Sequence, residues 1–174
     1  MAISLFDVTV GSYLQILGGV QGFMEKGKTH CLAQGIDLND IVETRLYPDM
    51  LPFRFQIVSV AHHSLGAIKG MQSGLFTPPS GMESLGYEAL QSLVADTLSE
   101  LGDLDASAIQ SLEGGELIFK LGDMEIPFTT EDFALSFSLP NLYFHATTAY
   151  DILRTKGVPL GKRDYTGKLK VKRN

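Results

Sequence analysis

Three of the four histidines, His30, His63 and His145, lie on separate predicted helices and on faces that predict burial. At about 100° per residue, His63 falls opposite the charged side of its helix, which Arg54 marks. His62 falls near that charged side and is expected to face water. Zinc and nickel accept imidazole ligands, and three imidazoles with one water form the open coordination of a catalytic metal. One hypothesis is therefore a zinc or nickel site at His30, His63 and His145.

A polar stripe accompanies His145 on the last predicted helix. Ser138, Asn141, His145 and Thr148 are spaced three, four and three residues apart, so they share one face of an otherwise apolar helix. Polar groups are costly to bury unless they have partners. The stripe therefore predicts either a hydrogen-bond network or a binding site, in which Asn141 and Thr148 would contact a cofactor or small ligand. A single core histidine with one hydrogen-bond partner is the competing interpretation.

Apolar periodicity, caps and stops predict the helices that position these residues. The main helices are expected at 4–34, 51–73, 85–101 and 129–156. Gly35 is expected to end the first helix in a left-handed conformation, and Pro140 is expected to kink the last helix or split it in two. Short helices are expected after Asp37 and Asp105, which are suitable N-caps.

The segment 116–129 changes from helical to alternating periodicity. A two-residue Gly122-Asp123 turn predicts a β-hairpin. Its expected cross-strand pairs are Leu121 with Met124, Phe119 with Ile126, Leu117 with Phe128, and Lys120 with Glu125. The sequence therefore predicts an all-α fold, an up-and-down four-helix bundle with a small β-hairpin inserted before the last helix.

Length and charge indicate the class of protein. The 174 residues predict one domain over 1–167 and a basic tail over 168–174. The net charge is −6, although six basic residues and one acidic residue lie between Gly161 and Asn174. An acidic body argues against nucleic-acid binding, which needs a basic surface. No apolar run approaches the ~20 residues that span a bilayer, and no secretory leader is apparent, so a cytoplasmic protein without membrane contact is expected.

Other common chemistries lack their motifs. The single cysteine, Cys31, lies in the last turn of a predicted helix, where the helix dipole disfavours a thiolate, so it is expected to fill core space. We find no glycine-rich phosphate loop, no serine-hydrolase elbow and no dinucleotide fingerprint.

The last helix also carries a family resemblance. Its sequence from Pro140 to Arg154 contains Phe-His-x-Thr-Thr-Ala-Tyr and is followed by Gly-Val-Pro-Leu-Gly-Lys at 157–162. With Arg-Leu-Tyr-Pro-Asp-Met at 45–50 and the helix around His63, this segment resembles an uncharacterised bacterial family of unknown function. That family is placed among the DinB/YfiT-like helical bundles. The match extends from the N-terminus to about Gly167.

The resemblance implies a four-helix bundle, frequent homodimers and, in many members, a divalent metal held by three histidines. Some members are thiol-dependent transferases or isomerases. Their pattern is one histidine on the second helix and a His-x-x-x-His pair on a later one. His63 matches the first position and His145 matches one member of the pair, but Asn141 and Ala149 stand where the other member is expected. His30 is then the geometric replacement for the missing ligand.

Two hypotheses follow for the function. The first is a DinB-like bundle with a core pocket lined by His30, His63, His145 and Asn141, which would act as a divalent-metal-dependent enzyme of thiol-transferase or hydrolase type on a small molecule. The second is a non-catalytic dimeric bundle with a degenerate metal site, in which the histidines are satisfied core residues. The sequence leaves both open, and with them whether the protein is an enzyme.

Overall fold

The computed structural model describes residues 3–81 and 84–172, and most of them are helical. The first half contains helices α1 to α5 and one short strand: α1 Leu5–Val8, α2 Val10–Gln34, α3 Leu38–Glu43, α4 Phe53–Ala61, α5 Ala67–Ser73 and β1 Leu75–Phe76. The second half contains the remaining elements: α6 Tyr87–Gly102, α7 Ala106–Gln110, β2 Glu116–Leu121, β3 Met124–Thr129, α8 Thr130–Asp132, α9 Leu139–Thr155 and α10 Lys162–Thr166.

Four long helices enclose the core. α2 packs against α6 and α9, and α4 packs against the same two helices, so the four close a ring of contacts. Tyr13, Phe23 and Phe53 are among the largest side chains with no exposure inside this ring. The four predicted main helices are therefore present, while their up-and-down order stays a prediction.

Most predicted helix ends are confirmed. Gly35 ends α2 with a left-handed φ of 67°, which residues with a side chain rarely adopt. The side chains of Asp37 and Asp105 cap α3 and α7 by accepting backbone N–H bonds. One difference lies near the N-terminus, where the predicted first helix is divided at Thr9 because its backbone leaves the helical region at ψ −81°.

Two π-helical segments interrupt the helices that carry His63 and His145. The first covers His62–Gly66 between α4 and α5, and the second covers Phe133–Ser138 between α8 and α9. The second ends two residues before Pro140, so the predicted break near Pro140 takes the form of a wider turn. Proline has no N–H to donate to the carbonyl four residues before it. In a π-helical turn a carbonyl instead accepts from the N–H five residues later, so the missing proline donor is bypassed. Such turns are frequent at functional sites.

The hairpin forms in the predicted register. β2 and β3 are antiparallel and pair Leu121 with Met124, and Lys120 with Glu125, whose side chains meet at 2.7 Å. The expectation of an all-α fold with an isolated hairpin was wrong in one respect, because β1 adds a parallel strand beside β2 and makes a three-stranded sheet. Two residues are too few to show strand periodicity, so β1 could not be predicted from the local pattern.

The C-terminal residues lie against α2. The backbone carbonyl of Tyr165 approaches Gly19 so closely that a Cβ there would lie 2.3 Å from the oxygen. Gln15 donates to the Thr166 carbonyl at 2.9 Å, and Lys26 contacts the Asp164 carboxylate. The glycine-rich face of α2 therefore receives this segment. Of the predicted basic tail, residues 173 and 174 lie outside the described residues.

Candidate functional site

His63 and His145 form a pair where α9 packs against α4 and the first π-helical segment. Their ring centroids are 5.8 Å apart and the ring planes differ by 15°. His63 is 8% exposed, whereas His145 is half-buried. The expected convergence of imidazoles from separate helices therefore holds for these two rings.

A glutamine fixes the tautomer of His145. The Gln56 amide donates from Nε2 to the Leu51 carbonyl at 2.8 Å, which turns its Oε1 toward His145. The Nδ1 of His145 lies 2.8 Å from that Oε1. Because the amide oxygen only accepts, Nδ1 carries the proton and Nε2 keeps its lone pair. No described residue forms a hydrogen bond with this Nε2, and the atom is not closed off from solvent.

Both imidazoles are neutral at physiological pH. Burial, followed by the neighbouring His145 and His62, lowers the pKa of His63 to about 3. Burial also lowers the pKa of His145 to about 4. Within the described residues no carboxylate contacts either ring to offset this effect. The pair therefore presents lone pairs and no positive charge.

His63 has an unmatched polar atom. Its Nδ1 is buried and has no hydrogen-bond partner among the described residues. The ring packs beside both Phe76 and Phe137, with centroid distances of 5.5 Å and 5.7 Å. A buried nitrogen without a partner is unfavourable for folding and suggests a role outside the fold itself.

A buried hydroxyl chain joins the two π-helical segments. Ser138 donates to the backbone carbonyl of His63 at 2.7 Å, and the Tyr13 hydroxyl lies 2.8 Å from the Ser138 oxygen. Because Ser138 uses its only proton on His63, Tyr13 is the donor to Ser138. Burial raises the pKa of Tyr13, which keeps it protonated. The chain from α2 therefore holds the His63 backbone in place.

Five phenylalanines pack in one cluster beside His63. The hairpin, β1 and the second π-helical segment supply them: Phe76, Phe119, Phe128, Phe133 and Phe137. Sequence reasoning assigned the hairpin no role at the site. Its alternating apolar face was visible in the sequence, but the contact with His63 depends on the π-helical turn, which periodicity does not reveal.

His62 departs from its expected position. It was expected to face water, but it is half-buried, stacks on Phe76 at 4.4 Å and has its Nε2 2.7 Å from the Thr77 carbonyl. Burial lowers its pKa, and the contact with Thr77 opposes this effect. The prediction was wrong because β1 and the following loop return across that side of the helix.

The remaining predicted site residues lie apart from the pair or are bonded within their own helix. His30 lies near Gly157, beyond the end of α9; the ten residues from His145 to Thr155 alone span roughly 15 Å. Asn141 donates to the Phe137 carbonyl and Thr148 to the Phe144 carbonyl, both four residues back. The structure thus joins His63 to His145 and leaves His30 out, because His30 lies beyond the C-terminal end of α9.

The donor set does not fit a three-histidine metal site. Over residues 3–81 and 84–172, no three His, Cys, Asp or Glu side chains are grouped closely enough to hold a metal ion. His62, the nearest third imidazole, has its Nε2 at the Thr77 carbonyl. Two neutral imidazoles are therefore the whole set of strong donors at this point.

Comparison with known proteins identifies the family. The sequence matches the family described as Domain of unknown function (DUF1993) over residues 5–166. The chain belongs to the DUF1993 family. A crystal structure of a DinB family member protein from Shewanella denitrificans has a similar fold, with a TM-score of 0.81 and 22% sequence identity over 98% of this chain and 96% of that one. No protein of curated function matches the sequence.

These findings confirm the resemblance seen in the sequence. At 22% identity the DinB relative establishes the shared fold alone. Within the described residues of this DUF1993 protein, no helix is long and apolar enough to cross a membrane.

Proposed function

We propose that this DUF1993 protein is a thiol-dependent transferase in which His145 is the general base. The observation that best supports this proposal is the hydrogen bond between Gln56 and Nδ1 of His145, which leaves a lone pair on Nε2 of the His145 ring. In the proposed step this Nε2 takes the proton of a thiol, and the sulfur forms a bond to an electrophilic carbon of the second substrate. The leaving group departs with its bonding electrons and receives the proton from His145.

A thiol is a more favourable nucleophile than water for a base as weak as His145, because the thiol gives up its proton at a lower cost in free energy. Proton transfer from a thiol of pKa about 8.5 to a base of pKa about 4 is uphill by roughly 6 kcal/mol. The same transfer from water, with a pKa of 15.7, is uphill by roughly 16 kcal/mol. A hydrolase would need further activation of the water, so the transferase alternative has the smaller barrier.

The metal-dependent form of this enzyme has weaker support. Neutral imidazoles suit zinc or nickel, and a histidine whose other nitrogen is hydrogen-bonded is common around bound metals. The described residues bring together two imidazoles rather than three, and of the two, His145 has its Nδ1 hydrogen-bonded while the Nδ1 of His63 has no partner. We therefore assign no step of the reaction to a metal.

A non-catalytic homodimeric bundle is the second candidate function. Its supporting observation is that Ser138, Asn141 and Thr148 all donate to backbone carbonyls, so most of the polar stripe is satisfied by the fold. In this case His63 and His145 would be core residues with no substrate.

The test combines turnover with metal content. Untagged protein is assayed with glutathione and 1-chloro-2,4-dinitrobenzene, and zinc, nickel and manganese per chain are measured on the same sample. We expect turnover without stoichiometric metal, a fall of about 100-fold or more in His145→Ala, and little change in the control His30→Ala.

Each other outcome selects a different function. Stoichiometric metal that disappears in both His63→Ala and His145→Ala would support the metal-dependent enzyme. A metal-free protein that shows no turnover and has the molar mass of a dimer in light scattering would support the non-catalytic bundle. Turnover that is unchanged in His145→Ala would contradict the proposed role of this residue.

A further inference from the structure

A separate cavity lies at the start of α4. Its volume is ≈ 250 Å³, and its apolar walls include Leu51, Phe55, Val58 and Pro79. Arg54 and Ser80 contribute its polar groups. Phe55 also contacts His145 edge to face at 5.7 Å, so this residue is common to the cavity and the histidine pair.

Arg54 is only partly matched. Its side chain is 14% exposed, and its Nη2 pairs with the Glu43 carboxylate. Its Nε is buried and has no hydrogen-bond partner among the described residues. Glu43 is 61% exposed on the other side of the pair, so it is free to move toward water. A guanidinium binds a carboxylate through two adjacent N–H groups, whereas here Glu43 contacts Nη2 and Nε has no partner among the described residues.

We propose that this cavity binds a small apolar carboxylic acid. The carboxylate would accept hydrogen bonds from Arg54 in place of Glu43, and the apolar body would contact Phe55, Val58 and Leu51. Mostly apolar walls around one cation suit a singly charged, largely apolar ligand better than a phosphate, which needs several donors. The proposal does not depend on the role of His145 as a base.

The experiment compares an acid with its uncharged counterpart. Phenylacetate and phenylacetamide have similar shapes, and each is titrated into the full chain by isothermal calorimetry. We expect saturable binding of phenylacetate, and binding of phenylacetamide at least about tenfold weaker because it lacks the charge-assisted bonds.

Two substitutions test the proposed contacts. Arg54→Gln should reduce phenylacetate binding at least about tenfold, whereas Glu43→Gln should strengthen it because the internal competitor loses its charge. A gain of affinity in Glu43→Gln is not a result that misfolding produces. Arg54→Lys keeps the charge and should still bind more weakly than the wild type, since lysine lacks the paired donors.

Three results would overturn the proposal. These are equal binding of the acid and the amide, no binding of phenylacetate at millimolar concentration, or unchanged affinity in both Arg54→Gln and Glu43→Gln. Failure here would leave the glutathione assay of His145 unaffected, so the two proposals are tested separately.

Discussion

Replacing Gln56 with leucine is the perturbation that bears most directly on His145. Gln56 is 2% exposed and makes two hydrogen bonds, one to the Leu51 carbonyl and one with Nδ1 of His145. Leucine is similar in size, so Gln56→Leu keeps most of the packing and removes both bonds. The proton of His145 is then no longer held on Nδ1.

The magnitude follows from the two groups left without partners. A buried group that loses its partner costs about 1–3 kcal/mol. His145 is half-buried, so water replaces part of its lost bond, and leucine adds apolar contact. We therefore expect a loss of about 2 kcal/mol in the free energy of unfolding, a fall of roughly 4–8 °C in Tm for a chain of this size.

The assay has two readouts. Urea denaturation gives the free energy of unfolding, and long-range ¹H–¹⁵N correlation spectra of ¹⁵N-histidine-labelled protein give the tautomer. We expect His145 to carry its proton on Nδ1 in the wild type and to shift toward the Nε2–H form in Gln56→Leu. Gln72→Leu is the control, because Gln72 is exposed on the same long helix. An unchanged tautomer in Gln56→Leu would show that Gln56 does not hold the proton of His145 on Nδ1.

Three further predictions follow from the same contacts. Because the pKa values of His63 and His145 are lowered in the folded protein, the unfolded chain binds more protons below pH 6.5, and the free energy of unfolding should fall as the pH drops from 6.5 toward 4. The fall should be shallower in His63→Phe, and urea titrations in which this variant and the wild type show the same pH dependence would count against the prediction. Ser138→Ala leaves the Tyr13 hydroxyl without a partner and should lower the free energy of unfolding by about 2–3 kcal/mol. Adding Tyr13→Phe to this variant should lower it little further, and fully additive losses in the double-mutant cycle would argue against the hydroxyl chain. Gly19→Ala places a Cβ 2.3 Å from the Tyr165 carbonyl oxygen and should lower the free energy of unfolding, measured with urea, by about 1–3 kcal/mol. Gly18→Ala, whose Cβ would have no neighbour within 4 Å, is the control, and equal stabilities of the two variants would show that the C-terminal segment does not pack against Gly19.

Local signals in the sequence predicted the elements well. Gly35, Asp37, Asp105 and the Gly122-Asp123 turn each act through contacts within a few residues, and the structure places all of them as expected. The hairpin register is the clearest case, because its period of two residues leaves one pairing that puts the apolar side chains on one face.

The site was less predictable for a physical reason. A turn of about 100° per residue predicts that His63 is buried, as it is, but it does not show that β1 and the following loop cover His62. The position of His30 depends on which end of α9 it meets, and periodicity does not specify this. Gln56 could have been found, since it lies seven residues before His63 on the same helical face.

A pH titration of the histidine ring signals by ¹H–¹³C NMR can show directly whether His63 and His145 form a buried neutral pair. We predict that the imidazoles of His63 and His145 stay neutral at pH 5 and titrate only near pH 3 and 4. Assignment by His63→Phe and His145→Phe identifies the two signals. If His145 instead becomes positively charged near pH 6.5, as an imidazole in water does, the buried neutral pair does not exist.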